Sequence, residues 1–343
     1  MIELVGMKTS ELRDFAVQSG EKNFRGTQLA RWIYDKNISQ IDEMTDLSLA
    51  FREKLKEQNA SLSLLEEIRS LEDGEKTRKF LFKLNNKKGK EENVESVLLP
   101  YPERVTACIS TQVGCAIGCR FCATGETGFV RDLSAGEIVD QVRFMNRHSD
   151  RRITNVVLMG MGEPLLNYEA TLKAIDILNE EMGIGMRGIT LSTCGITPKI
   201  RELAKRKLQL TLAVSLHAPS DEMRDSLVPI NRKYPLAELK EAMKEYAELT
   251  GRRVTIEYVM LRDVNDTVVM ARRLADYLRG LHCQINLIPC HEAANDFLPS
   301  DSETMHRFAE VLKEIGFPVT TRAERGLKIA AACGQLRRRV ENA

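Results

Sequence analysis

The chain has 343 residues, 43% of them hydrophobic, enough for one large α/β domain and a smaller accessory one. Fifty Lys and Arg against 49 Asp and Glu leave a net charge of +1, which makes no general case for a nucleic-acid partner and restricts any such site to a local patch. The opening MIELVGMKTSELRDFAV has no basic segment before an apolar run, and no long uncharged apolar run follows, so the chain reads as cytoplasmic with no membrane partner.

Residues 1–62 read as a helical accessory domain. Apolar groups recur at 3–4 spacing from Phe24 to Ile33 and again from Leu47 to Leu55. Over 63–103 the period changes. Lys79 to Leu84 and Val94 to Leu99 flank a polar Asn85 to Asn93 segment as a β-hairpin linker would. From 104 to 322, apolar runs near 104–110, 153–159, 188–193, 208–216, 253–260 and 282–288 alternate with amphipathic stretches, giving six βα units and hence a parallel sheet or partial barrel. Ser134 with Glu137 marks a helix start, with Ile138, Val142 and Met145 on one face. Residues 323–343 form a C-terminal segment with a basic tail. The basic clusters Arg151-Arg152, Arg252-Arg253, Arg272-Arg273, Lys87-Lys88-Gly89-Lys90 and Arg337-Arg338-Arg339 are candidate RNA patches, although charge runs are more often solvated faces.

Eight cysteines in a reducing compartment point to metal ligands, catalytic thiols or small core residues. Cys115, Cys119 and Cys122 stand in a C-x3-C-x2-C triplet, which lets three thiolates converge in one loop. A cubane iron-sulfur cluster has four irons to ligate, so three cysteines leave one iron open to a further ligand. A structural zinc site would want four closed ligands, and no second CxxC or His pair is present.

This triplet, with an aromatic residue before its last cysteine, resembles the signature of the radical S-adenosylmethionine (SAM) superfamily, whose partial (β/α)6 barrel the six βα units also resemble. The resemblance implies a 4Fe-4S cluster on Cys115, Cys119 and Cys122. It further implies SAM on the open iron, and a 5′-deoxyadenosyl radical as the reactive species. Gly160-Met161-Gly162-Glu163-Pro164 is similar to the segment that binds the SAM amino group, with Gly162 allowing close backbone approach and Glu163 accepting from the amine. Ser192, Ser215, Leu216 and His217 end strands at the same barrel mouth and are expected to bind SAM too.

A nearer resemblance extends over almost the whole chain. Cys108 to Cys115, Phe121 to Phe129, Gly160 to Asn167 and Ala331 to Leu336 are similar to the RlmN/Cfr family. That family methylates an adenosine of 23S ribosomal RNA, at C2 in RlmN and C8 in Cfr, and some members also act on tRNA. The resemblance implies that Cys333 carries a methyl group taken from one SAM and activated by a second. Cys108 then removes the ring proton and forms a disulfide with Cys333, and Glu95 is a candidate base. A flavodoxin- or ferredoxin-like protein would supply the electron. Pro164 with Leu165-Leu166-Asn167 favours the C2 enzymes. Two departures concern the substrate: His291 stands where the family places an asparagine that contacts SAM, and Lys328 replaces an aspartate before the methyl-carrying cysteine. Cys194, Cys283 and Cys290 match no catalytic position and read as core packing. The alternatives are a C8 methyltransferase, a different radical SAM enzyme, and a non-catalytic iron-sulfur RNA-binding protein.

Overall fold

The computed structural model describes residues 2–84, 92–290, 297–323 and 325–336. His291, Lys87 to Lys90 and Arg337 to Arg339 lie outside them.

The N-terminal module holds β1 (Ile2–Glu3), α1 (Thr9–Gln18), α2 (Phe24–Ala30), α3 (Leu49–Glu57) and β2 (Ala60–Ser61), with β1 and β2 paired in parallel. α2 runs on as a π turn over Arg31–Asp35, which keeps the expected apolar face continuous to Ile33. Leu12, Leu29, Ile33, Phe51 and Leu55 are fully buried, the core that the 3–4 spacing required.

Next come β3 (Leu65–Glu72), β4 (Arg78–Leu84) and β5 (Asn93–Pro100), each antiparallel to the one before. The hairpin across 85–93 is therefore two strands of a three-stranded ribbon. β5 pairs antiparallel with β6 (Val105–Cys108), so the ribbon is the edge of the main sheet rather than a detached linker.

After β6 the chain makes the small antiparallel pair β7 (Gln112–Gly114) and β8 (Phe129–Asp132), with α4 (Ala123–Glu126) between them. It then enters α5 (Ala135–Arg147). The remaining elements alternate: β9 (Asn155–Leu158), α6 (Tyr168–Asp176), β10 (Ile189–Thr193), α7 (Thr197–Lys205), β11 (Thr211–Ser215), α8 (Asp221–Leu227), α9 (Leu236–Thr250), β12 (Val254–Met260), α10 (Val268–Leu278), β13 (Cys283–Pro289), α11 (Ser302–Glu314) and β14 (Val319–Thr321). The ten-stranded sheet runs β14-β13-β12-β11-β10-β9-β6-β5-β4-β3, parallel from β6 to β14. Six βα units are followed by the short strand β14. The order is sequential and both edges are open, a partial barrel. All seven residues of β12 are buried, as expected of a strand covered on both faces.

α5 begins at the Ser134 cap. The Ser134 hydroxyl accepts from the Glu137 amide at 3.1 Å, and the Glu137 carboxylate accepts from the Ser134 amide at 2.8 Å. One side of α5 faces the sheet and the other faces the N-terminal module. That double burial explains the fully buried Arg143, which donates to the carbonyls of Ile33, Leu62 and Ile38 at 3.0, 2.7 and 2.8 Å and to Asp140 at 2.7 Å. Among the described residues no helix is long and apolar enough to cross a membrane.

Candidate active site

Parallel strands deliver their C-terminal ends to one rim, where loops carry ligands. Here the rim encloses a cleft of about 1000 Å³, partly open to solvent. Cys115, Cys119 and Cys122 are among its lining residues, as are Gly162, Glu163, Ser192, Ser215 and His217.

The cysteine loop is shaped by backbone hydrogen bonds. The Cys115 amide donates to the Gly128 carbonyl at 3.2 Å, Cys122 to Cys119 at 3.1 Å and Gly125 to Cys122 at 2.9 Å. Gly114 enters the loop at φ +76, and a Cβ there would lie 1.7 Å from the Gly128 oxygen, so only glycine allows this closure. Burial pushes the Cys115 thiol up to about 12 and raises Cys122 as well. In apolar surroundings such thiols stay protonated until a metal takes the proton's place.

Gly162 (φ +104) packs so closely on Gln112 that a Cβ would meet its amide nitrogen at 2.8 Å. This sets Glu163 at the cleft wall, 1% exposed, with burial raising its pKa. Its carboxylate accepts from the amides of Leu165 at 3.0 Å and Cys194 at 2.7 Å, leaving lone pairs for an amine. His217 is buried in a left-handed conformation (φ 60), and its Nδ1 accepts from the Val259 amide at 3.0 Å. The ring proton therefore sits on Nε2, and burial followed by the Arg224 charge lowers the pKa to about 3. His217 is a neutral donor, edge-on to Phe121 at 4.8 Å between centroids. Leu216 is wholly buried in the wall and does not line the cleft; only its backbone is engaged, donating to the Glu257 carbonyl at 3.0 Å.

A second cavity adjoins the first and contains Cys108, with Met159, Ile288, Arg322 and Cys333 lining both. Cys333 thus stands in the partition between the cysteine loop and Cys108. The loop holds this segment directly: the Ala123 amide donates to the Gly334 carbonyl at 2.8 Å and the Thr124 hydroxyl to the Leu336 carbonyl at 2.7 Å. Burial and the neighbouring Cys333 push the Cys108 thiol up to about 12, against the opposing pull of Arg322. Arg322 itself is held charged, chiefly by Cys333, with Glu257 and Cys108 adding to the effect. No disulfide is formed among the described residues, so the one expected between Cys108 and Cys333 is absent.

Glu95 is not a solvated hairpin residue. It is 5% exposed and pairs with Lys79 at 3.2 Å, and Lys79 also donates to the Ala330 carbonyl at 3.2 Å. It lines neither cavity. Lys328 is exposed on a short turn. Cys283 is buried in β13 as read, but Cys194 and Cys290 line the cleft and are not mere core packing. Arg322 and Glu257 also belong to the site; neither carries a motif, and Glu257 sits within an otherwise apolar strand. Arg151-Arg152 and Arg252-Arg253 precede β9 and β12, at the end of the sheet opposite the cleft.

Residues 109–275 match the Radical SAM superfamily, and residues 2–60 match the ribosomal RNA large subunit methyltransferase N-terminal domain. The chain is 45% identical to a probable dual-specificity RNA methyltransferase RlmN of Desulforamulus reducens, over 99% of this chain and 97% of that one. A protein of the same description from Thermotoga neapolitana is 47% identical, covering 98% of each. The chain belongs to the RlmN family. A radical SAM methyltransferase from Sphaerobacter thermophilus, 43% identical, superposes with a TM-score of 0.94 over 99% of this chain and 100% of that one.

As a radical SAM family member, the chain takes a 4Fe-4S cluster and SAM as cofactors. The residues fit both groups. Three thiols in the cleft lining could supply a cluster's sulfur ligands, and the polar lining from Glu163 to His217 suits an amino acid and a nucleoside. Among the described residues no three His, Cys, Asp or Glu side chains meet at the spacing of a single ion. A cubane sets its ligand sulfurs further apart than a single ion does.

Proposed function

We propose that the chain methylates C2 of an adenosine in 23S ribosomal RNA, and an adenosine of tRNA, with the transferred carbon carried on Cys333. What supports this reading most is the position of Cys333 in the wall shared by the cysteine-loop cleft and the Cys108 cavity. A carrier must meet the radical source on one side and the resolving group on the other.

Cys115, Cys119 and Cys122 hold the cluster, while Gly162, Glu163, Ser192, Ser215 and His217 orient SAM. Together the bound cofactors supply a methyl donor and a radical able to take hydrogen from carbon. The Cys333 sulfur accepts a methyl group, loses one hydrogen from it, and presents the carbon to the electrophilic ring position. Cys108 then takes the ring proton as the adduct gives up its unpaired electron, which would return to the cluster, and the Cys108 sulfur joins the Cys333 sulfur as the carbon–sulfur bond breaks and the released carbon takes up a proton to become the methyl group. Arg322 stabilises the thiolate forms that this exchange needs. Glu95 acts at one remove. Paired to Lys79, it holds the Ala330 carbonyl and thereby the approach of Cys333.

The test is an anaerobic reaction of iron-reconstituted protein with SAM, reductant and a 23S rRNA fragment or tRNA, followed by nucleoside mass spectrometry. The expected product is 2-methyladenosine; 8-methyladenosine would move the chain to C8 chemistry. 5′-Deoxyadenosine with no methylated base would point to another radical SAM substrate, and no SAM cleavage at all to a binding protein. Cys108→Ala is expected to trap a covalent RNA–protein adduct at Cys333, read by gel shift and peptide mass; free turnover by this variant overturns the two-cysteine scheme.

A further inference from the structure

Cys194 follows β10 and lies outside the C-x3-C-x2-C triplet, yet its Sγ is 3.9 Å from that of Cys119. The contact is built from both sides. The Cys194 amide donates to the buried Glu163 carboxylate at 2.7 Å, and its carbonyl accepts from Arg224 at 2.6 Å. Arg224 is wholly buried and anchored in turn by Asn231 at 2.9 Å and the Leu216 carbonyl at 3.1 Å. A thiol needed only to fill space would not require its backbone fixed by two buried charged groups.

We infer that the Cys194 thiol donates a hydrogen bond to the Cys119 sulfur when the cluster is in place, and so raises the cluster's reduction potential. An iron-bound Cys119 sulfur has no proton and can only accept, which leaves Cys194 as the donor. No covalent bond changes; one electron from an external low-potential donor enters the cluster and adds negative charge that spreads onto its sulfurs. A hydrogen bond to such a sulfur is stronger in the reduced state, so it favours reduction. Cys194 is a positioning residue for electron entry, and the inference depends on the cluster alone, whatever RNA is bound.

The experiment is a redox titration of reconstituted protein, followed by electron paramagnetic resonance of the reduced cluster, with iron content measured and neither SAM nor RNA present. Cys194→Val and Cys194→Ala remove the donor, and Cys194→Ser keeps one. The Val and Ala substitutions are expected to shift the midpoint negative by about tenfold in the reduction equilibrium, ~59 mV for one electron. The Ser substitution should stay near the parent protein. An unchanged midpoint in the first two variants at full iron content overturns the inference. So does an equal shift in all three, which would make volume rather than the proton the cause. Loss of the cluster in all three would make Cys194 a ligand or a core support instead.

Discussion

Arg322 leaves the end of β14 and brings a half-buried cation to two thiols whose positions in the chain, 108 and 333, are far apart. Removing that charge makes the Cys108 thiolate harder to form. Arg322→Met is expected to slow RNA methylation by about ten- to a hundredfold, one to two powers of ten for ~1.4–2.7 kcal/mol. Its pH–rate profile should rise at higher pH than the parent's, because the Cys108 thiol already stands near 12 and loses its only charged helper. Iron content should be unchanged. A pH profile that stays in place would show that Arg322 merely packs. The triplet Cys115, Cys119 and Cys122 is legible because three ligands lie within eight residues of chain. Arg322, Glu257 and Cys194 are not, because tertiary contacts alone bring them to the cleft.

At the scale of elements, β11 and β12 stand out in the sequence because both faces of their central residues are buried, while β9, β10 and β13 alternate buried and half-buried positions. β3 and β14 do not. β3 reads LEEIRSLE and lies at one edge of the sheet, and β14 is a three-residue strand at the other, so little burial marks either. The central ribbon strands are informative for function as well, since β4 and β5 supply the Lys79–Glu95 pair, with side chains 12% and 6% exposed. Glu95→Gln keeps the shape and removes the charge, leaving Lys79 less firmly directed at Ala330. Methylation is expected to fall about tenfold with 5′-deoxyadenosine formation and the pH profile both retained. Loss of one limb of that profile would instead make Glu95 the base.

In the whole molecule a buried guanidinium, together with the Lys8–Asp176 and Glu11–Lys173 ion pairs, ties the helical module to the barrel. Arg143 joins three carbonyls of the N-terminal segment to Asp140 of α5, and Asp140 also accepts from the Leu64 amide at 2.7 Å. Arg143→Ala strands a buried carboxylate and opens three acceptors, so unfolding free energy is expected to drop by about 3–5 kcal/mol. Denaturant unfolding would measure it; a loss below about 1 kcal/mol would mean that the other ion pairs and the apolar packing hold the interface without Arg143. The βα alternation made the barrel legible, whereas this clamp was not, because an arginine inside an amphipathic pattern reads as surface. The basic pairs before β9 and β12 lie away from the cleft.

The Ala123 amide and Thr124 hydroxyl beside the cysteine loop grip the backbone of Gly334 and Leu336, so the loop proposed to hold the cluster also fastens a segment more than two hundred positions later. If the cluster stiffens that loop, its loading is expected to protect the segment from proteases. Trypsin is expected to cut after the exposed Lys328 several-fold faster in metal-free than in reconstituted protein, scored by peptide mass over time. A cell short of iron would then hold this protein in a form marked for degradation before it is marked by inactivity.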